Sequence, residues 1–163
     1  MGGLMQYAVC HYQSPVGRLK LASNGKGLVV LHFIENDTLP VSETVGCPIL
    51  QKACKQLDDY FAGTLQEFSL PLALEGTPFR KKVWQALTKI SYGKTASYAD
   101  IAADIGQEKA VRAVGNANHH NPVSIIVPCH RVIGKNGKMV GYAGGLERKE
   151  WLLAHEEKMA MRQ

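Results

Sequence analysis

The sequence predicts an α+β protein in two parts, an antiparallel sheet with one helix followed by a cluster of short helices. Three observations carry this reading. Short β-rich apolar segments separated by turn residues fill the first 35 residues. From residue 48 the apolar spacing changes to three and four, the period of a helix face. A Gly76-Thr77-Pro78 punctuation then separates two halves of opposite net charge.

Residues 5–11, 18–23 and 27–34 are rich in Val, Leu, Tyr and Phe and read as strands. Ser14-Pro15-Val16-Gly17 and Asn24-Gly25 are the turns between them, so the group is an antiparallel meander. From Pro48 to Ala62, Leu50, Ala53, Cys54, Leu57 and Phe61 share one helix face, which places Cys54 in the core, and Gly63 ends the helix. Residues 68–74 read as one more edge segment. Glu75-Gly76-Thr77-Pro78 is a linker ending in an N-cap and a first-turn proline, so a domain boundary is expected between residues 1–75 and 76–163. Residues 78–90 bring Phe79, Val83, Ala86, Leu87 and Ile90 onto one face. Ser97-Tyr98-Ala99-Asp100 is a capping-box start for a helix that Gly106 closes. Helices over about 98–105 and 109–118 would form a helix-turn-helix, whose second helix usually meets DNA. Residues 124–127 are an apolar run that reads as a buried strand delivering Cys129. Lys135-Asn136-Gly137-Lys138 reads as a hairpin turn, residues 141–145 as a flexible loop, and residues 146–157 as a final helix anchored by Trp151 and Leu152.

Composition bounds the function. A chain of 163 residues with 45% hydrophobic content suits one domain or two small ones of a soluble protein. No apolar run resembles a signal peptide or a membrane span, so a cytoplasmic protein with no membrane partner is expected. Met1-Gly2-Gly3 does not complete a myristoylation motif, because Gln6 stands where Ser or Thr is required. Cys10, Cys47, Cys54 and Cys129 form no CxxC pair, as for reduced thiols. Cys10, His11, His32 and Cys47 match no zinc spacing, and no glycine-rich nucleotide fingerprint follows a strand, so neither a metal nor a cofactor is expected. Residues 1–75 hold five Lys and Arg against seven Asp and Glu, whereas residues 76–163 hold fourteen against seven. That basic half fits either a phosphate-binding face or an ordinary solvated surface.

Two stretches carry candidate chemistry. Ala110, Ala113, Gly115 and Ala117 leave the 109–118 helix nearly bare, with Arg112 as its one long cation. Such a helix can enter a nucleic-acid groove or pack tightly on another helix. In Pro128-Cys129-His130-Arg131-Val132, Cys129 is either a core residue or a nucleophile. The adjacent His and Arg supply an electropositive setting that lowers a thiol pKa. Neighbours on a strand point to opposite faces, so His130 would reach Cys129 through a bridging water rather than directly.

Pro128-Cys129-His130-Arg131-Val132, with Asn121-Pro122 before it and Tyr142-Ala143-Gly144-Gly145 and Lys149-Glu150-Trp151-Leu152-Leu153-Ala154-His155-Glu156 after it, closely resembles the O6-alkylguanine-DNA alkyltransferase family. The likeness extends through Ser97-Tyr98, Ala110-Val111-Arg112-Ala113-Val114-Gly115 and Tyr60-Phe61-Ala62-Gly63 to Ser14-Pro15-Val16-Gly17. It implies an N-terminal ribonuclease-H-like domain and a C-terminal winged-helix domain. It also implies stoichiometric transfer of an alkyl group from O6-alkylguanine in double-stranded DNA to Cys129, with O4-alkylthymine as a second candidate lesion. In that reading His130 and Glu156 draw off the thiol proton through water, Tyr98 donates to the leaving guanine, and Asn121 braces the thiol. Val132, Tyr142 and Ala143 line the base pocket. Arg112 fills the gap left by a rotated base while Ala110, Ala113, Gly115 and Ala117 lie in the minor groove. A monomer is expected. The sequence departs from many relatives at Ala143, where they carry Ser, and from some at Ser124, where they carry Pro. The other classes open to the sequence are a non-catalytic DNA binder or lesion sensor, which would lack the acceptor cysteine, and a cysteine hydrolase, which would need an oxyanion site.

Overall fold

The computed structural model describes residues 7–35 and 46–162. The myristoylation reading at Met1 to Gln6 lies outside the described residues. The chain divides into two compact units, Met1–Glu75 and Gly76–Gln163.

In the first unit β1 (Ala8–Ser14), β2 (Gly17–Ser23) and β3 (Leu28–Ile34) form an antiparallel sheet in sequence order. The register pairs Ser14 with Gly17 and Leu19 with Phe33, so each hairpin is as tight as its turn residues allow. Helix α1 (Pro48–Ala62) begins at a first-turn proline and ends at Gly63, whose φ of 83° is the left-handed cap conformation that glycine adopts without strain. Cys10, Leu19, Leu21, Leu28 and Leu31 of the sheet and Leu50, Ala53, Leu57 and Tyr60 of α1 make the core. The helix is rotated slightly from the sequence expectation. Tyr60 and Gln56 are buried while Cys54 and Phe61 sit at the margin. Gln56 uses its burial to bind Ser69 twice, at 2.9 and 3.0 Å. Residues 68–74 make only a single parallel bridge, Leu28 to Leu72. Its backbone lies so near Gly27 that a Cβ there would come within 2.8 Å of the Leu72 carbonyl carbon, which only glycine permits.

The second unit opens with α2 (Pro78–Leu87), capped by the Thr77 side chain accepting from the Arg80 amide. Next come β4 (Ala96–Ser97), α3 (Tyr98–Asp104) and α4 (Val111–His119). Ser97 and Asp100 complete the capping box in both directions, at 2.9 and 3.0 Å. Val83, Trp84, Leu87, Ile101, Ala102, Val114 and Ala117 pack between α2, α3 and α4, and the Trp84 indole donates to the Ala117 carbonyl at 2.9 Å. Strand β5 (Val132–Ile133) pairs in parallel with β4, Ala96 opposite Val132. Helix α5 (Leu146–Ala160) closes the unit.

Three expectations fail here. Residues 124–127 form turns, because the Asn121 side chain captures the backbone that a strand would offer to a ladder. Residues 135–138 turn back on themselves, Gly134 N–H donating to Lys138 O, but as a 3-10 turn with no strand following it. Trp151 is only half-buried and stacks on His155, with ring centroids 5.0 Å apart, while Leu152 is fully buried. Among the described residues no helix is long and apolar enough to cross a membrane, and no three metal-ligating side chains cluster.

Candidate active site

The centre of the second unit is the turn that carries Cys129. Asn121 shapes it from within, its amide donating to Val127 O at 2.8 Å and its carbonyl accepting from Val123 N–H at 3.0 Å. Pro122 and Pro128 bracket the turn. Between them Ile125 adopts φ 72°, a left-handed conformation that costs a β-branched residue about 1–2 kcal/mol and persists only where surrounding packing enforces it. The side chain of Ile125 is 1% exposed, and that burial offsets the strain.

Cys129 follows at the start of a 3-10 turn, Cys129–Arg131, and is 3% exposed. Its thiol is pushed up in pKa by burial, partly offset by a hydrogen bond from Asn121 and the nearby Lys149 charge. The expected lowering by its sequence neighbours does not occur, because Arg131 turns away from the thiol. Its Nε and Nη2 donate to the two oxygens of Glu156 at 2.7 and 3.1 Å, and its Nη1 donates to Ile90 O at 2.7 Å. The guanidinium also lies over the Tyr92 ring, 5.6 Å from its centroid.

His130 joins the same carboxylate. Its Nε2 lies 2.6 Å from Glu156 Oε2, and both side chains are fully buried. Burial alone would raise the Glu156 carboxyl, but the pull of His130 and Arg131 outweighs it and holds the pKa at about 2. Glu156 is therefore a carboxylate, and the 2.6 Å contact assigns the His130 proton to Nε2. Nδ1 of His130 is buried and meets no protein partner among the described residues, so it presents a lone pair inside the site. Burial also lowers the His130 pKa, the nearby Glu156 opposing, which keeps the ring neutral near pH 7.

Both halves of the chain match family models. Residues 7–74 match the ribonuclease-like domain of 6-O-methylguanine DNA methyltransferase, and residues 78–158 match its DNA binding domain. A methylated-DNA--protein-cysteine methyltransferase of Methanosarcina barkeri is 49% identical over 148 residues, covering 89% of this chain and 94% of that one. The chain belongs to this methyltransferase family. The constitutive relative of Bacillus subtilis is likewise 49% identical, over 86% of this chain and 90% of its own. Among solved structures, the Mycobacterium tuberculosis O6-methylguanine methyltransferase superposes with a TM-score of 0.84 at 46% identity, covering 94% of each chain. The same M. tuberculosis protein in complex with DNA gives 0.82 at 47% identity, covering 91% of this chain and 92% of that one.

Around the methyltransferase centre, Tyr98 opens α3 half-buried, and its hydroxyl donates to Val140 O at 3.1 Å and lies 3.4 Å from Gly141 O. Burial, with the Cys129 charge, raises its pKa, so it keeps its proton. Lys149 was not singled out from the sequence. Fully buried on α5, its ammonium donates to the carbonyls of Val132, Val140 (2.8 Å) and Gly141 (3.3 Å). Burial lowers it to about 8, the Cys129 charge opposing. The available signal was helical spacing, since Lys149, Leu152 and Glu156 recur at three and four and so share one face. Of the residues expected at the base pocket, Val132 and Tyr142 are buried and Ala143 is exposed.

Helix α4 lies apart from the thiol turn in sequence and splits the expected DNA edge. Arg112 and Ala113 are exposed, Ala110 and Gly115 are half-buried, and a Cβ on Gly115 would meet the Tyr98 ring at 3.8 Å. Ala117 is a correction. It faces inward, fully buried beside Trp84, so it belongs to helix packing and not to the exposed edge.

Proposed function

We propose that this chain repairs alkylated DNA by moving an alkyl group from O6 of guanine to Sγ of Cys129, once per molecule. The observation that carries the reading is the buried Cys129 turn joined to a His130–Glu156 pair whose Nδ1 is buried and meets no hydrogen-bond partner among the described residues. Buried in this way, Cys129 rests as a thiol and needs a base at the moment of reaction. His130 supplies that base through a bridging water, and Glu156 holds the ring in the Nε2–H tautomer and stabilises the imidazolium formed. The thiolate forms the C–S bond as the C–O6 bond breaks, and the electron pair of that bond leaves with the guanine. Tyr98, still protonated, donates to the charge on the departing base. Asn121 supports the thiolate by its hydrogen bond, and Val132, Tyr142 and Ala143 surround the base. A thioether does not release the alkyl group under ordinary conditions, so the acceptor is consumed.

The names of the relatives and the DNA-bound M. tuberculosis structure support duplex DNA as the substrate. In this reading α4 enters the minor groove along Ala110, Arg112, Ala113 and Gly115, where small side chains permit close approach and no base sequence need be read. Arg112 occupies the space of the rotated nucleotide. Residues 1–75 and 76–163 act as separate domains of a cytoplasmic monomer. The deciding experiment is intact mass after incubation with O6-methylguanine duplex DNA. One methyl group gained, mapped to Cys129, supports the proposal. An unchanged mass with repaired or cleaved substrate points instead to turnover chemistry and overturns it.

A further inference from the structure

The mechanism uses Cys129, His130 and Glu156 but leaves Arg131 without a part, although its guanidinium is bound to the same carboxylate as His130. It is 6% exposed and makes three hydrogen bonds, two of them to the carboxylate that also holds His130. Nη1 bound to Ile90 O and the guanidinium face over Tyr92 fix the plane of the fork, so the position of the carboxylate is set from the segment after α2 as well as from α5. The two carboxylate oxygens are thus assigned, Oε1 to Arg131 Nε and Oε2 to both Arg131 Nη2 and His130 Nε2.

We propose that Arg131 is a positioning residue for the transfer reaction, which orients Glu156 toward His130 Nε2 and neutralises its charge so that His130 rests as a neutral base. This rests on the reaction proposed above. The electrostatic logic follows from where each group lies. A buried carboxylate hydrogen-bonded to imidazole strongly favours the imidazolium. With Glu156 alone beside it, His130 would take up a proton at rest, place N–H on both ring nitrogens, and lose the lone pair that accepts the thiol proton. A guanidinium on the same carboxylate cancels most of that pull. Glu156 and Lys149 face His130 from α5, and Arg131 and Cys129 flank it on its own turn. Tyr92 and Tyr142 lie near Glu156, both held protonated mainly by burial. Of these only Glu156 draws a proton onto the ring at rest, while Arg131 and Lys149 oppose it. During transfer the proton leaves Cys129 Sγ for the bridging water, which passes a proton to His130 Nδ1, and the carboxylate, already held by Arg131, need not shift to stabilise the new cation.

The test is the protonation of His130, followed by NMR of labelled imidazole in the full chain, together with the pH dependence of transfer from free O6-benzylguanine. In the wild-type protein His130 should remain neutral from pH 8 down to pH 6.5. Arg131→Gln should move the acid limb of the rate profile, and the His130 titration, upward by roughly one pH unit, the shift expected of an uncompensated carboxylate. Arg131→Lys should return the limb toward its original position while the plateau rate stays reduced, because an ammonium restores charge but not the fork. A wild-type His130 already protonated at pH 7.5 overturns the proposal without any variant. An Arg131→Gln profile lowered equally at every pH, with an unmoved limb, reduces Arg131 to packing and overturns it as well. If Arg131→Gln does not fold, the wild-type titration and Arg131→Lys decide. Because the titration requires no alkyl donor, its outcome stands apart from whether Cys129 accepts a methyl group from DNA.

Discussion

Replacing Glu156 with Gln changes one atom and tests two consequences of the site at once. The drop of the carboxyl pKa from 4.5 to about 2 corresponds to about 3 kcal/mol of folding stability, at about 1.4 kcal/mol per pH unit. The side chain is fully buried, so solvent screening takes little from that figure. It also agrees with the roughly 3–5 kcal/mol lost when one member of a buried ion pair is removed. Because the folded pKa lies below the unfolded one, this contribution is complete above about pH 4.5 and is lost as the pH falls toward 2. Urea unfolding should therefore show Glu156→Gln about 3 kcal/mol less stable at pH 7, with a smaller further loss between pH 4.5 and 3 than the wild type. The second consequence is chemical. A carboxamide turned to satisfy Arg131 presents its NH2 to His130 Nε2, which forces the ring proton onto Nδ1 and removes the base. Single-turnover transfer from O6-methylguanine duplex should slow by about 10²–10⁴-fold, the usual contribution of a placed base. A variant with wild-type stability and a rate within a few-fold of normal would refute both the ion pairing and the relay.

Three further outcomes follow from other parts of the molecule. Cys129→Ser should abolish transfer while leaving DNA affinity within a few-fold, since a hydroxyl is a far poorer nucleophile at neutral pH; methyl uptake by mass spectrometry reads this directly. Arg112→Ala should slow transfer from duplex DNA markedly and leave reaction with free O6-benzylguanine nearly unchanged, because only the duplex carries the unpairing cost; equal losses on both substrates would remove Arg112 from base rotation. Lys149 has a folded pKa of about 8 against an ordinary value of 10.5, so between those values the unfolded chain binds a proton that the folded chain has released. Its contribution to stability should rise with pH across that interval, and Lys149→Met should flatten the slope seen in denaturant titrations.

What was legible in the sequence was local. The Ser97–Asp100 capping box, Pro48 and Gly63 as helix limits, and the second and third strands each depend on residues within one turn or one hairpin, and each formed close to where the residue chemistry placed it, whereas β1, expected over residues 5–11, runs on to Ser14. The failures have a common cause. An apolar run such as residues 124–127 has the same composition whether it is a buried strand or a buried turn, and the left-handed Ile125 leaves no mark in periodicity. Asn136-Gly137 supplied the positive φ angles of a tight turn, but a hairpin also requires a second strand, and β5 found its partner in β4, from a distant part of the chain. The thiol environment differs from the sequence expectation for a similar reason. Arg131 is two residues from Cys129 yet points to α5, whereas the cation that opposes the rise of the thiol pKa on burial is Lys149, twenty residues on. Adjacency in sequence says little about direction inside a 3-10 turn.

The dependence of the site on α5 also has a bearing on how the molecule can fail. Glu156 and Lys149 both come from that helix, and the His130 contact to Glu156 spans 26 residues of chain. By contrast, α2, α3 and α4, with Arg112 on the outer edge of α4, hold together through Trp84, Ile101 and Val114 without it. Local opening of a terminal helix generally requires less free energy than global unfolding. A transient excursion of α5 would therefore strip His130 of its carboxylate and Arg131 of its counter-ion while the helical surface bearing Arg112 stayed intact. If α4 is the DNA-binding surface proposed above, the protein would still occupy DNA in that excursion, and occupancy without chemistry would shield a lesion instead of erasing it.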